Sequence, residues 1–376
     1  MINRHNRLAT LAAALLTLSA GVGHADDTDI YVANGTIAPS SEPMVMFSLD
    51  YRSNLGSTAC QGTECASLIA EGYLPVKASY TFFDVLRAVL KKVMTPLEGV
   101  KVGLMINHDN KNNCANQVKA NCSNGGYIAR GFKLYELGDA NGAKAEFNAI
   151  LAALPVPQGN LSHKYQGKEL FFEFYRYLTG QGVYNGHVGF NDFASPSNTN
   201  LNVDGPAYDW DASIENAAKT TYMTPISPLA TCAKVYTTNF MFQVSSQEDD
   251  SDTEIKKTVA NGGMGLTGNP TFPTVIEWLN DVDLADGAHG TVPNLEGKIN
   301  VTSYFVVEPN YISTKTIAYA QAGGTGTPLP LDSDPGKLIA TLQDIFRQIL
   351  SVSTTFVAAS VPVNVFNRAE IINNIY

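Results

Sequence analysis

Apolar residues recur along this chain with two different spacings, and the spacing separates helices from strands. The clearest helical stripe is Phe82–Met94, where apolar residues follow the i, i+3, i+4, i+7 pattern of one helix face. Thr81 and Asp84 resemble a capping box at its start. The same spacing predicts helices over Ala143–Leu154, Lys168–Leu178, Phe272–Val282, Thr314–Ala322 and Pro335–Leu350.

Short apolar runs bounded by polar residues predict the strands. The stretch Met44–Asn54 starts with an apolar run and reaches a carboxylate at Asp50, which is typical of a buried parallel strand and its exit turn. Similar runs predict strands over Val102–Ile106, Tyr127–Leu134, Val235–Val244 and Ile299–Val307. Because strands alternate with helices, we predict an α/β fold with a doubly wound, mostly parallel sheet and helices on both faces.

The position of Asp50 makes it the first candidate for a binding residue. Ligands of open α/β sheets bind beyond the carboxyl ends of the strands, where the strand order reverses. If Met44–Asp50 is the central strand, Asp50 lies at that place. The alternative is a surface aspartate in a turn, and the local sequence taken alone favours that alternative.

Changes in composition suggest how the chain is divided. Residues 1–25 resemble a signal peptide, so we expect the α/β domain to span 26–350. An insertion around 181–227 (Gln181–Ser227) is rich in Gly, Asn, Asp, Tyr and Pro and has no sustained period. It predicts a long, surface-exposed excursion. Residues 351–376 combine small and apolar side chains and predict the start of a C-terminal β extension.

The amino-terminal segment predicts export. Arg4 and Arg7 precede an apolar core over Leu8–Leu18, and small residues precede a predicted mature start at Asp26. The core is too short for a membrane span, and no later stretch reaches the roughly 20 apolar residues that a span needs. We therefore expect an exported protein that is not an integral membrane protein. An uncleaved anchor is the alternative.

All five cysteines follow this segment, in a part of the chain that export would bring to an oxidising compartment. Cys60 with Cys65 and Cys114 with Cys122 are local pairs, which predicts two disulfides that staple loops. Cys232 remains, either buried or paired with another chain or with a segment outside this sequence. The spacings do not match a zinc site.

Charge and motifs argue against several classes of function. The net charge of −10 argues against a nucleic-acid partner, because a phosphate backbone needs a basic surface. The sequence has no nucleophile elbow, phosphate-binding loop, zinc-protease motif or placed dinucleotide fingerprint. Its acidic runs lack the spacing of a calcium loop. We therefore expect binding and not catalysis; a secreted hydrolase would need a nucleophile at a strand end, where Asp50 is the only candidate.

Several segments together resemble a known family. They are Asp26–Ala33, Met44–Asn54, Gly125–Phe132, Lys168–Gln181, Ile276–Val307 and Leu338–Arg368. In this order they resemble the N-terminal von Willebrand factor A-like region of the PilC/PilY family of type IV pilus tip adhesins, with the last segment the most specific. The resemblance covers nearly the whole predicted mature chain. The family's β-propeller does not follow, so we expect a fragment or a shortened relative.

The resemblance also implies a degenerate metal site. The fuller site of this fold type uses Asp-x-Ser-x-Ser after the first strand, a threonine on a later loop and an aspartate after the fourth strand, because a hard divalent cation needs oxygen ligands. Here Asp50 is retained, whereas Arg52 and Asn54 stand at the two serines. Tyr165 falls roughly at the threonine and Ser246 roughly at the second aspartate. We expect no Mg²⁺ or Ca²⁺, because Arg52 would add a positive charge and could pair with Asp50.

The function that the resemblance implies is pilus assembly and adhesion at the cell surface, at or near the pilus tip. The partners would be minor pilins and a host or abiotic surface, contacted by the loops around Asp50 and by the insertion. The expected location is the cell surface, the pilus tip or the outer membrane, or else the periplasm. A stand-alone periplasmic or secreted binding module with a degenerate A-like domain is the alternative that the sequence leaves open.

Overall fold

The computed structural model describes residues 42–51, 53–60, 65–107, 126–154, 156, 167–183, 211–226, 234–242, 263–267, 270–284 and 299–358. The strands of the described residues are β1 (Met44–Asp50), β2 (Thr58–Ala59), β3 (Tyr80–Thr81), β4 (Val100–Asn107), β5 (Gly126–Tyr135), β6 (Val235–Met241), β7 (Val301–Val307) and β8 (Leu329–Pro330). The helices are α1 (Ala66–Ala70), α2 (Phe82–Met94), α3 (Ala143–Ala153), α4 (Gly167–Leu178), α5 (Phe272–Asp281), α6 (Thr314–Ala322) and α7 (Pro335–Ala358).

A six-stranded sheet forms the centre of the fold, in the order β5-β4-β1-β6-β7-β8. Its neighbouring strands are parallel except for β5, which runs antiparallel to β4 at one edge. The chain moves from β1 outward through β4 and β5, and then returns to the other side of β1 with β6. This is the order of doubly wound sheets, and its switch point lies between β1 and β6. The predicted α/β class with a mostly parallel sheet is confirmed.

Helices cover both faces of the sheet. Phe47 of β1 points to one face, where its ring lies 5.8 Å from Phe147 of α3 and 6.0 Å from Phe346 of α7. Phe305 of β7 points to the opposite face and lies 6.2 Å from Phe272 of α5 and 5.7 Å from Tyr319 of α6. Because successive strand residues alternate between faces, β1 and β7 can bury side chains on both sides.

The capping box that the sequence predicts at the start of α2 is present. The Thr81 hydroxyl accepts a hydrogen bond from the Asp84 amide at 3.2 Å, and the Asp84 carboxylate accepts one from the Thr81 amide at 2.8 Å. Two backbone donors that the helix cannot pair internally are therefore satisfied.

At the carboxyl-terminal end of the described chain, the structure differs from the expectation. The predicted β extension would begin at 351, but α7 continues without interruption to Ala358. A helix already formed through Leu350 gains one hydrogen bond for each residue it adds, and this outweighs a local preference for strand. Residues 359–376 lie outside the described residues.

The predicted insertion is also less detached from the fold than expected. Of Gln181–Ser227, residues 181–183 and 211–226 are described, and Ile214, Tyr222 and Ile226 are buried in the core. Residues 184–210 lie outside the described residues. We call residues 211–226 the returning segment. The contacts that hold it join residues far apart in sequence, which a local pattern cannot reveal.

The returning segment covers the outer edge of β5. The Asp211 carboxylate accepts a hydrogen bond from the Gly131 amide at 3.1 Å, and the Asp211 amide donates to the Ala129 carbonyl at 3.4 Å. A Cβ on Gly131 would come within 2.5 Å of the Ile214 side chain and 2.8 Å of the Tyr177 hydroxyl. Glycine is needed here for the segment to lie so close to the strand.

Candidate functional site

The structure places Asp50 at the carboxyl end of β1, on the border with β6 where the strand order switches. Its side chain is not at the surface, since only 1% of the residue is exposed. The alternative of a surface aspartate in a turn is therefore wrong. A buried carboxylate at a switch point is held in place by its surroundings, and such positions are where α/β folds build sites.

Asn54 connects the two sides of the switch point. It lies in the short 3-10 turn Ser53–Gly56 that follows β1, and its side chain is buried. The Asn54 amide nitrogen donates a hydrogen bond to the backbone carbonyl of Phe242, the residue after β6. A serine hydroxyl at position 54 is too short to make the same contact without a shift of the turn. The amide thus holds the ends of β1 and β6 together by a direct protein contact.

Aromatic rings pack beside this contact. The rings of Phe82 and Phe242 stack with centroids 3.7 Å apart, and the ring of Tyr51 meets Phe83 edge-on at 5.5 Å. Phe82 and Phe83 form the first turn of α2, which therefore closes over the ends of β1 and β6. Such pairs add to the stability given by burial alone. The result is a rigid support for the loops around Asp50.

A row of polar groups lies in the sheet beneath the switch point. Ser48 of β1 and Asn239 of β6 are register neighbours, and both are buried. The Asn239 side-chain nitrogen donates to the Thr237 hydroxyl at 3.0 Å and to the Tyr304 carbonyl at 2.9 Å. Among the described residues, the Ser48 hydroxyl and the side-chain oxygens of Asn239 and Asn54 have no hydrogen-bond partner. These oxygens could accept hydrogen bonds from water.

Sequence reasoning missed this row, although a signal was present. A strand buried on both faces is normally a continuous apolar run. Ser48 interrupts the apolar run of β1, and Thr237, Thr238 and Asn239 follow one another in β6. Polar residues inside a strand that the topology buries are the pattern that would have indicated them.

Helix α4 carries buried charges that the periodicity did not reveal. The pattern predicts one apolar face, but Lys168, Glu169 and Glu173 are all fully buried as well. The Tyr222 hydroxyl of the returning segment donates to the Glu173 carboxylate. Burial raises the pKa of Tyr222 well above its usual value, and the negative charge of Glu173 raises it further. Tyr222 therefore stays protonated and acts as a permanent donor that fixes the segment to α4.

The structure describes two of the five predicted site residues. Asp50 and Asn54 lie at the switch point, whereas Arg52, Tyr165 and Ser246 lie outside the described residues. The predicted pairing of Arg52 with Asp50 stays a prediction. In the described part of the chain, no group of three or more His, Cys, Asp or Glu side chains is placed to hold a metal ion.

One of the two predicted disulfides falls within the structure. Cys60 is bonded to Cys65, and the bond closes the loop before α1. Cys114, Cys122 and Cys232 lie outside the described residues. Among the described helices, none combines the length and the apolar character needed to cross a bilayer.

Comparison with known proteins identifies no relative. No protein-family model, no curated protein and no solved structure matches this chain. The assignment of a function therefore depends on the residues and the geometry described above.

Proposed function

We propose that this chain is a cell-surface protein of the type IV pilus that acts in pilus assembly and adhesion by binding, through a von Willebrand factor A-like domain. The observation that carries the proposal is the strand order, with β1 at the centre of the sheet and β5 at its edge. Two of the segments that resemble the pilus family lie on these elements: Met44–Asn54 covers β1 and residues of its exit turn, and Gly125–Phe132 covers the first seven of the ten residues of β5.

Two further segments support the same alignment. Lys168–Gln181 lies on α4 and its exit, and Ile276–Val307 runs from α5 to the end of β7. Segments that resemble the family by short motifs thus fall on elements of one sheet and its helices. This agreement favours an A-like domain over an unrelated α/β fold with accidental motif matches.

Binding in this proposal does not use a metal ion. Asn54 stands where the fuller site has a serine, and its amide bonds the Phe242 carbonyl directly. The loop after β1 is therefore held by protein contacts, and the aromatic stack of Phe82 on Phe242 supports it. The turn after β1 and its neighbours at the carboxyl ends of the strands would present the contact surface to minor pilins or to a host or abiotic surface.

A complementation experiment tests this function. Deleting the gene should reduce the pili recovered by shearing and the adhesion of the cells, and the wild-type chain should restore both. Asn54→Ala, which releases the loop from Phe242, should restore them only in part. Leu137→Ser is a matched control, because Leu137 is exposed near the opposite end of the sheet, after β5. It should restore both fully.

The same experiment separates the alternative. A stand-alone binding module would leave the amount of pili and the adhesion unchanged when its gene is deleted. That result would refute the link to the pilus while leaving the fold assignment untouched.

A further inference from the structure

A cleft of about 310 Å³ lies between α2, α3 and the loop over residues 71–79. We call it the Lys91 cleft. Apolar side chains, among them Leu74, Ala88 and Leu151, form its inner surface, and Tyr73, Lys91 and Asn148 contribute polar groups. It lies on the outer surface of α2, so it is separate from the switch point. Its volume is at the lower end of the range for binding pockets and suits one or two side chains of a partner.

The loop that forms one wall of the cleft is held in a single conformation. The Tyr80 hydroxyl donates to the Pro75 carbonyl at 2.8 Å and accepts from the Lys77 amide at 3.1 Å. The Lys77 ammonium pairs with Asp84 of α2 at 2.6 Å. The backbone amide of Leu74 donates to Leu68 of α1 at 3.1 Å. A wall with these contacts needs little further ordering when a ligand binds, which favours affinity.

Arg87 holds the opposite wall in place, and its guanidinium is engaged by the groups that it contacts there. One guanidinium nitrogen pairs with Asp84 at 2.9 Å, and another lies 3.3 Å from the Leu151 carbonyl and 3.2 Å from the Leu154 carbonyl. These carbonyls end α3, where a cation is favourable. The contacts join α2 to α3 and leave the Arg87 guanidinium engaged by protein groups.

Lys91 is different, because within the described residues its ammonium forms no ion pair and no hydrogen bond. The side chain of Asn148, across the cleft on α3, likewise has no hydrogen bond to the described residues. The next residue, Lys92, pairs with Glu71 at 2.7 Å. A chain with a net charge of −10 thus presents an unpaired cation and an unpaired amide at a cleft. Both groups suit a carboxylate.

The apolar surface continues beyond the cleft. Val76, which follows Pro75 in the cleft wall, is 86% exposed. A small molecule that filled the cleft would leave Val76 in water. A peptide that ran out of the cleft over Pro75 would cover it, so the extended surface favours a segment of a protein.

We infer that the Lys91 cleft binds a peptide segment of a partner protein in which a carboxylate side chain stands next to an apolar one. The carboxylate pairs with the Lys91 ammonium and accepts from the Asn148 amide. The apolar side chain enters between Leu74, Ala88 and Leu151, and the adjoining backbone passes over Val76. This binding site does not depend on any link to pili.

Peptide display on the whole purified chain tests the inference. Random peptides are selected on the wild-type protein after depletion on Lys91→Glu, and one enriched peptide is synthesised with a fluorescent label. We expect enrichment of Asp or Glu beside an apolar residue. Fluorescence polarisation should show binding weakened about fivefold or more by Lys91→Glu, since the attraction between the carboxylate and the exposed Lys91 ammonium becomes a repulsion.

Two further variants make the test specific. Lys315→Glu introduces the same charge change at an exposed position of α6, on the opposite face of the sheet from the cleft, and it should change the affinity less than about twofold. Ala152→Trp fills the cleft from an exposed position of α3, and it should abolish binding while circular dichroism shows a folded protein. The inference is overturned if no acidic and apolar motif is enriched, if Lys91→Glu and Lys315→Glu weaken binding equally, or if Ala152→Trp binds normally.

Discussion

The carboxylate of Asp84 joins the start of α2 to the loop over residues 71–79. It accepts hydrogen bonds from the Lys77 ammonium at 2.6 Å, the Thr81 amide at 2.8 Å, the Thr81 hydroxyl at 2.9 Å and the Arg87 guanidinium at 2.9 Å. These contacts begin α2 and hold the loop 71–79 against it. Removing the charge of Asp84 should therefore loosen both the helix start and the cleft wall.

The size of the effect follows from the pKa of Asp84. Burial acts to raise this pKa, but the hydrogen bonds from Lys77 and Thr81 outweigh burial and lower it from 3.8 to about 2. A carboxyl whose pKa is lower in the folded than in the unfolded chain stabilises the fold above the unfolded pKa. The difference corresponds to roughly 2 kcal/mol, and we expect about 1–2 kcal/mol because Lys77 is partly exposed to solvent.

The variant Asp84→Asn isolates the charge, because the amide oxygen can still accept from the Thr81 backbone. Urea unfolding followed by circular dichroism should show a loss of about 1–2 kcal/mol at pH 7. The difference between wild type and variant should shrink as the pH falls from about 4 towards 2, because the wild-type carboxylate then becomes protonated and the asparagine does not titrate.

A matched control shows whether the surroundings of Asp84 matter. Asp344 pairs with Arg347 on the exposed surface of α7, and Asp344→Asn should cost less than about 0.5 kcal/mol at any pH. A loss at Asp84→Asn that stays constant from pH 7 to pH 2 would refute the argument, since it would not come from the charge. So would a loss at pH 7 no larger than that of the control.

Three further predictions concern the core, the returning segment and the switch point. Arg130 is buried, and Glu146 is the only acceptor of its side chain among the described residues. Glu146→Gln should therefore lower the free energy of unfolding in urea by about 1–3 kcal/mol, whereas Arg130→Met should be nearly neutral. A larger loss of stability for Arg130→Met than for Glu146→Gln would contradict this. Gly131→Ala should cost about 1–3 kcal/mol and expose the returning segment to limited proteolysis, and unchanged stability and protease resistance would contradict the close approach. Calorimetric titration with millimolar MgCl₂ should give the same heat for the wild-type chain and for Asp50→Asn, because we expect no Mg²⁺ at Asp50. Tight binding that Asp50→Asn abolishes would refute the degenerate site.

The parts of the fold that the sequence predicts are those governed by short-range spacing. The stripe of α2 and its capping box depend on residues three and four apart, and both are present. The apolar run of β1 with a polar exit indicates a buried parallel strand, and the structure has it at the centre of the sheet. These features follow from helix and strand geometry alone.

The parts that the sequence does not predict depend on contacts between distant residues. The Asn54 amide meets the Phe242 carbonyl 188 positions away, and the Tyr222 hydroxyl meets Glu173 across 49 positions. No local pattern encodes such pairs. The buried charges of α4 were missed for the same reason, because a charged residue on a helix normally indicates a solvated face. The Tyr222 hydroxyl reaches Glu173 only because the chain returns onto α4.

The most direct test of the central claim is to shear the surface fibres from the cells that produce this chain and identify its peptides by mass spectrometry, fraction by fraction. A protein of the type IV pilus should give peptides in the fibre fraction, and their amount should fall when pilus assembly is blocked. Peptides found in the periplasm or the medium, and absent from the fibres, would contradict the pilus assignment and support a stand-alone binding module.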